Sequence, residues 1–195
     1  LDSSAPVDVI GGETMSNQGD TDMSNLLRNV VPSYNVNDQP ISDAATLVRP
    51  ANLRGLAPDH TLMLVNGKRR HRASVITWLG NGISNGSQGP DAAAIPALAL
   101  KRIEVLRDGA SAQYGSDAIA GVMNFVLNDA REGGSVEVRY GEYKEGDGEQ
   151  VTNAGNIGLP LGDSGFLNLT AEWGESAPTS RSEQRADAQS LIDDG

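Results

Sequence analysis

Cysteine is absent from the 195 residues. That removes disulfides, thiolate nucleophiles, cysteine-type zinc sites and iron–sulfur clusters. Aromatic side chains amount to only 4%, too few for a dense aromatic core. Histidine occurs twice, at His60 and His71. Neither sits in an H-x-x-H, H-E-x-x-H or G-x-S-x-G setting, so neither a metal centre nor a catalytic triad can be named. No apolar run approaches the ~18 residues of a membrane-crossing helix, so strands would have to make any encounter with a membrane. A positive balance is also lacking: the formal net charge is -11, which leaves no field to displace counterions and excludes nucleic acid as a partner. The chain opens at Leu1 without a basic or apolar leader, so any signal peptide is expected to have been removed or never to have been part of this sequence.

What is present is glycine, at 23 residues, with a hydrophobic fraction of 38%. That composition suits an α+β fold of short strands and many turns, with one complete core and a second, incomplete unit. Residues 7–10 read as a strand ended by Gly11-Gly12. Met23, Leu26, Leu27 and Val30 keep the i, i+3, i+4, i+7 spacing of one helix face, with Asp20 or Asp22 as N-cap and Pro32 as terminator. Tyr34 and Val36 suggest a short strand, and residues 37–50 an irregular stretch. Residues 61–65 form an apolar strand leading into Asn66-Gly67, a pair suited to the two φ > 0 positions of a type I′ hairpin turn. The glycine-rich residues 80–89 are expected to be a mobile loop. Strands follow at 103–106 and 122–127, with a turn at Asp108-Gly109 and a helical turn at 111–114.

After Arg131 the period becomes two. Val136, Val138 and Tyr140 alternate with polar residues, as do Ile157, Leu159 and Leu161, and Leu167, Leu169, Ala171 and Trp173. A tight turn at residues 162–165 makes this a meander, and Pro160 belongs near a strand end.

Few of these residues could carry chemistry. Carboxylates cluster in turns such as Glu145-Gly146-Asp147-Gly148, whose spacing fails the EF-hand pattern. The loop at 80–89 is followed by Gln88-Gly89-Pro90-Asp91 rather than Lys-Ser/Thr, so it is no phosphate cradle. Lys68-Arg69-Arg70-His71-Arg72 places four of the 15 basic residues within five positions. It can be a solvated strand end or a site for an anionic ligand or acidic partner.

The run Lys101-Arg102-Ile103-Glu104-Val105-Leu106-Arg107-Asp108-Gly109-Ala110-Ser111-Ala112-Gln113-Tyr114-Gly115-Ser116-Asp117-Ala118-Ile119-Ala120-Gly121-Val122-Met123-Asn124-Phe125-Val126 resembles the plug signature of TonB-dependent outer-membrane receptors. Leu26-Leu27 through Val31-Pro32, Leu53-Arg54-Gly55, the segment from Leu62 to Arg69, and Ile95-Pro96 stand around it in the family's order. The resemblance extends over roughly residues 5–175. Asp108-Gly109 replaces the Gly-Pro of many members.

The resemblance implies a plug (residues 1–131) with a four-stranded mixed sheet and flanking helices, inside a 22-stranded barrel whose first antiparallel strands are residues 132–195. A whole barrel at ~10 residues per strand needs several hundred residues, so the chain is expected to be a fragment. In a receptor the apolar faces of the late strands would meet lipid, with Trp173 at the interface. Arg54 and Arg107 occupy the positions that anchor such plugs to acidic wall residues. The implied function is active import of a scarce nutrient, such as a siderophore-iron complex or a vitamin, across the Gram-negative outer membrane. No enzyme activity and no cofactor are implied. The implied partners are the chain's own barrel, the nutrient, the membrane, and TonB through a box expected upstream, since residues 1–9 hold no clear copy. Arg70, His71, Arg72, Trp78, Asn81 and Asn85 are the candidate ligand contacts. A soluble periplasmic binding module without a barrel is the alternative, and in that case the late strands would complete its own sheet.

Overall fold

The computed structural model describes residues 7–20, 22–36, 49, 51–77, 84–107 and 110–179. The expected irregular stretch at 37–50 lies outside them except for Arg49. The Asp108-Gly109 turn, Trp78 and Asn81 also lie outside them. The plug sheet is built from β1 (Val7–Gly11), β4 (Thr61–Val65), β5 (Lys68–Arg69), β6 (Leu100–Leu106) and β7 (Gly121–Leu127). Its order is β1-β6-β7-β4-β5, with β4 and β7 parallel and the other pairs antiparallel. Four strands therefore make the expected mixed sheet, and the two-residue β5 adds a short fifth. A separate pair joins β2 (Tyr34–Val36) to β3 (Ala51–Leu53).

Asn66 and Gly67 turn β4 into β5 at φ 49 and 75. The turn is pinned to β7: Gly67 N–H donates to Asn124 Oδ1 and Leu127 N–H to Asn66 Oδ1, both at 2.9 Å. The helix read around Leu26 is α2 (Met23–Val30), which follows a five-residue α1 (Gly12–Ser16). Of the two cap candidates it is Asp22 that serves, accepting from Ser24 N–H at 2.8 Å and Asn25 N–H at 3.3 Å. Val31 leaves the helix at ψ 108 because Pro32 bars the α region from its predecessor.

Both sheet faces are covered, which is why β4 reads as an unbroken apolar run. On one face Met63, Ile103, Val105, Met123 and Phe125 pack with Met15, Met23, Leu26, Leu27 and Leu53. On the other, Leu62, Leu64 and Val122 meet Ala118 and Ala110, the latter on α3 (Ala110–Tyr114). At the start of β7, Gly121 has φ 146, and a Cβ there would stand 2.6 Å from the Leu106 carbonyl. Burial pushes the Glu104 carboxyl up, but bonds from Asn124 and Arg102 outweigh this and hold it below the ordinary carboxylate range.

The late strands are β8 (Gly134–Gly141), β9 (Gln150–Leu161) and β10 (Gly165–Ser176), paired antiparallel in the order β10-β9-β8. Their polar face turns toward the plug and their apolar face away from it. Val136, Val138, Ile157, Leu159, Leu169 and Trp173 are exposed, whereas Asn156 and Ala154 on the alternate positions are buried. None of the late strands' side chains joins either apolar core. Pro160 pairs only with β10, since β8 ends opposite Ile157. The expectation of a mobile 80–89 loop needs correction in its described part: Ser84 Oγ donates to Asn52 Oδ1 at 3.1 Å and Thr77 N–H to the Ser87 carbonyl at 2.8 Å. Ser84 and Ser87 are buried, so side-chain bonds offset the entropy cost that the composition suggested.

Candidate functional site

Three groups of residues meet the requirements of a site on such a scaffold. The first is the basic cluster. After β5 the chain runs back beside β4, with Arg70 N–H bonded to the Met63 carbonyl at 2.9 Å. It lines a groove of about 130 Å³ with Arg69, Arg70, His71, Arg72, Asp59, Asp117, Thr61 and Gln88.

Two of its arginines are paired inside the plug. Arg69 bonds Asp117. Arg72 lies 3.4 Å from Asp59 and 3.6 Å from Asp117. Arg70 gives its Nε–H to the Asp91 carbonyl at 2.8 Å, a neutral main-chain acceptor. Thr61 Oγ1, in the groove lining, is buried without a hydrogen-bond partner among the described residues. His71 is exposed on the rim. Asn85, also exposed, stands outside the groove lining. His60 contributes its carbonyl to Ala120 N–H at 2.9 Å and is not among the residues that line the groove. Sequence reading found the basic run but missed Asp59 and Asp117, which come from distant turns and carry no local signal.

The second group is Arg54 with Arg107. Arg54 takes φ 57 and donates Nη1–H to the Arg107 carbonyl at 2.8 Å. Arg107 pairs in turn with Asp8 of β1. The two arginines stand together at the end of β6, and their described contacts lie within the plug.

The third group joins plug to late strands. Asn156, only 7% exposed, accepts from Asn128 Nδ2–H at 3.2 Å. It donates to Asn168 Oδ1 at 2.6 Å and Thr170 Oγ1 at 2.7 Å. Asn168 reaches the Ala130 carbonyl at 3.3 Å. Glycine lets the strands approach closely here: a Cβ on Gly158 would stand 2.3 Å from that same carbonyl. On β8, Arg139 bonds Glu137 and the main chain at Ser16 and Asp20. The period-two pattern made these polar positions visible as a face, but not which of them would hold the plug.

A polar sheet face bonded to a globular plug, with the apolar face turned outward, is the reverse of a soluble sandwich and the arrangement of a barrel wall around its filling. The family model for the TonB-dependent receptor plug domain matches residues 1–122. This chain belongs to the TonB-dependent receptors. The ferrienterobactin receptor of Escherichia coli is 30% identical over 167 residues, covering 83% of this chain and 22% of that protein. The probable TonB-dependent siderophore receptor PirA of Acinetobacter baumannii is 32% identical over 147 residues, covering 72% of this chain and 19% of its own length. The crystal structure of the siderophore receptor PirA from Acinetobacter baumannii superposes with a TM-score of 0.65 at 26% identity, covering 87% of this chain and 24% of that one. The chain thus spans about a fifth of the curated relatives it matches. These relatives are receptors by name, not enzymes, and the fold is that of a receptor plug with early wall strands.

Proposed function

We propose that this chain is the plug and opening wall of an outer-membrane receptor that imports a ferric siderophore under TonB's drive. The observation that carries the reading is the outward apolar face of β8–β10 around a plug of the TonB-dependent family. The names of the relatives favour a siderophore over a vitamin. The domain division is proposed at Arg131, because both apolar cores end by Leu127. Eight residues, 142–149, separate β8 from β9, whereas three, 162–164, separate β9 from β10. Outer-membrane barrels keep short turns on the periplasmic side and longer loops outside, so the 162–164 turn is periplasmic in this reading. The Asn66-Gly67 turn lies beside the chain's exit toward β8, and Arg70 to Arg72 run back to the opposite end of the sheet. That supports a place for the groove at the outward end, where Arg70, His71 and Arg72 meet a negatively charged ferric chelate. Trp78, Asn81 and Asn85 are proposed as further contacts. Arg54 and Arg107 are proposed as the anchors toward acidic residues of the remaining wall.

Uptake of radiolabelled ferric enterobactin by cells producing the full-length receptor tests this. Arg70→Gln with Arg72→Gln is expected to weaken apparent affinity by roughly tenfold, the order of one charge-assisted contact. In the same cells Arg54→Ala with Arg107→Ala is expected to raise passive entry of small antibiotics. Equal uptake by parent and Gln variant across a range of salt contradicts the ligand assignment, and unchanged permeability contradicts the anchoring.

A further inference from the structure

Strand β1 is an edge strand, paired with β6. The chain then turns at Gly12 into α1, which lies so close to β6 that a Cβ on Gly12 would come within 2.3 Å of the Leu100 carbonyl. Met15, fully buried, is the strap's plug into the core. Residues 7–20 therefore form a strap on one edge of the plug, held by the pairing of β1 with β6, the Asp8–Arg107 ion pair and the packing of Ile10 and Met15 against the main core.

The far end of the strap meets the wall. Arg139, on the plug-facing side of β8, donates Nη2–H to the Ser16 carbonyl at 2.7 Å and Nη1–H to the Asp20 carbonyl. A five-residue helix leaves its last carbonyls without intrahelical donors, and here the Asn17 and Gln18 amides go to Glu13 and Met15. The planar guanidinium fork supplies what is missing, a task that a lysine's point charge performs less well.

The same guanidinium has two carboxylates near it. The strand register sets Glu137 opposite Ala154 and Ala154 opposite Glu172. The two acids stand on either side of one methyl group, and they line one crevice with Arg139 and Asp20. Glu137 bonds Arg139, whereas Glu172 makes no hydrogen bond among the described residues. It lies within electrostatic reach of both. We propose that Arg139 is the positioning residue that holds the β1–α1 strap to the wall, and that Glu172 is the carboxylate that receives its guanidinium when the strap opens. With the strap closed, Arg139 satisfies two strap carbonyls. With it open, those acceptors are lost, and Glu172, in the same crevice, compensates. One arginine thus serves two arrangements, and the balance between its acceptors sets how often the strap leaves the plug.

Hydrogen–deuterium exchange on the detergent-purified full-length receptor reads the strap directly, and independently of ligand uptake. Arg139→Gln is expected to speed exchange over residues 7–20 roughly tenfold, from loss of charge-assisted bonds, while residues 121–127 stay unchanged. Arg139→Lys is expected to fall between parent and Gln variant. Glu172→Gln is expected to slow strap exchange several-fold, because the open arrangement loses its acceptor. Opposite signs for Arg139→Gln and Glu172→Gln are the signature of a shared guanidinium. Faster or unchanged strap exchange in Glu172→Gln, or an equal rise over residues 7–20 and 121–127 in Arg139→Gln, overturns the proposal.

Discussion

Phe125→Ala is expected to cost the plug ~3–5 kcal/mol, the usual loss for truncating a buried aromatic. Phe125 is fully buried at the centre of the main core, between Val65 on one neighbouring strand and Ile103 on the other. Set against a total of ~5–15 kcal/mol for a domain, that loss is enough to unfold a marginal one. Because both cores lie within residues 10–127, residues 1–131 expressed alone are expected to unfold cooperatively in urea. In Phe125→Ala the midpoint should fall sharply or the native baseline should vanish. A non-cooperative parent would mean that the plug depends on the wall for its core, and the proposed division at Arg131 would be wrong. A midpoint unchanged by Phe125→Ala would contradict the core placement.

The second large effect is expected on the outer face. Leu169 is half exposed and faces away from the plug, opposite Ile157 on β9. If that face meets lipid, Leu169→Arg in the full-length receptor costs ~2–4 kcal/mol near the bilayer midplane. The receptor should then reach the outer membrane in much smaller amount, measured as the fraction that migrates as folded barrel without heating. Folded receptor at the parental level would place Leu169 in water or against protein instead.

Much of the architecture was legible in the residues. The spacing of Met23, Leu26 and Leu27 located α2, Asn66-Gly67 located the hairpin turn, and period-two alternation located β8, β9 and β10. These signals are local, each set by one helix face, one turn geometry or one pleat. The long plug signature from Lys101 to Val126 supplied the family. What stayed hidden depends on distant pairing. Asp59 and Asp117 neutralise much of the basic cluster, yet they sit in unrelated turns. Asp8 reaches Arg107 from a neighbouring strand that is far away only in the sequence. Alternation shows that a strand has two faces but not which face turns inward. A soluble sheet and a barrel wall share that pattern, and only the bonds from Asn156 and Arg139 to the plug distinguish them here. The glycine-rich loop was misjudged in its described part for a related reason: composition reports entropy, and buried serines with specific acceptors can overcome it.

The sidedness of the late strands is the central claim, and lipid quenching tests it most directly. Single fluorophore-labelled cysteines would be placed one at a time along residues 167–173 of the full-length receptor in vesicles with nitroxide-labelled lipid. Quenching is expected to alternate, strong at positions 167, 169, 171 and 173 and weak at 168, 170 and 172. Uniform weak quenching, or the opposite alternation, would contradict the account, since the apolar face would then be covered by protein and these strands would not be a membrane wall.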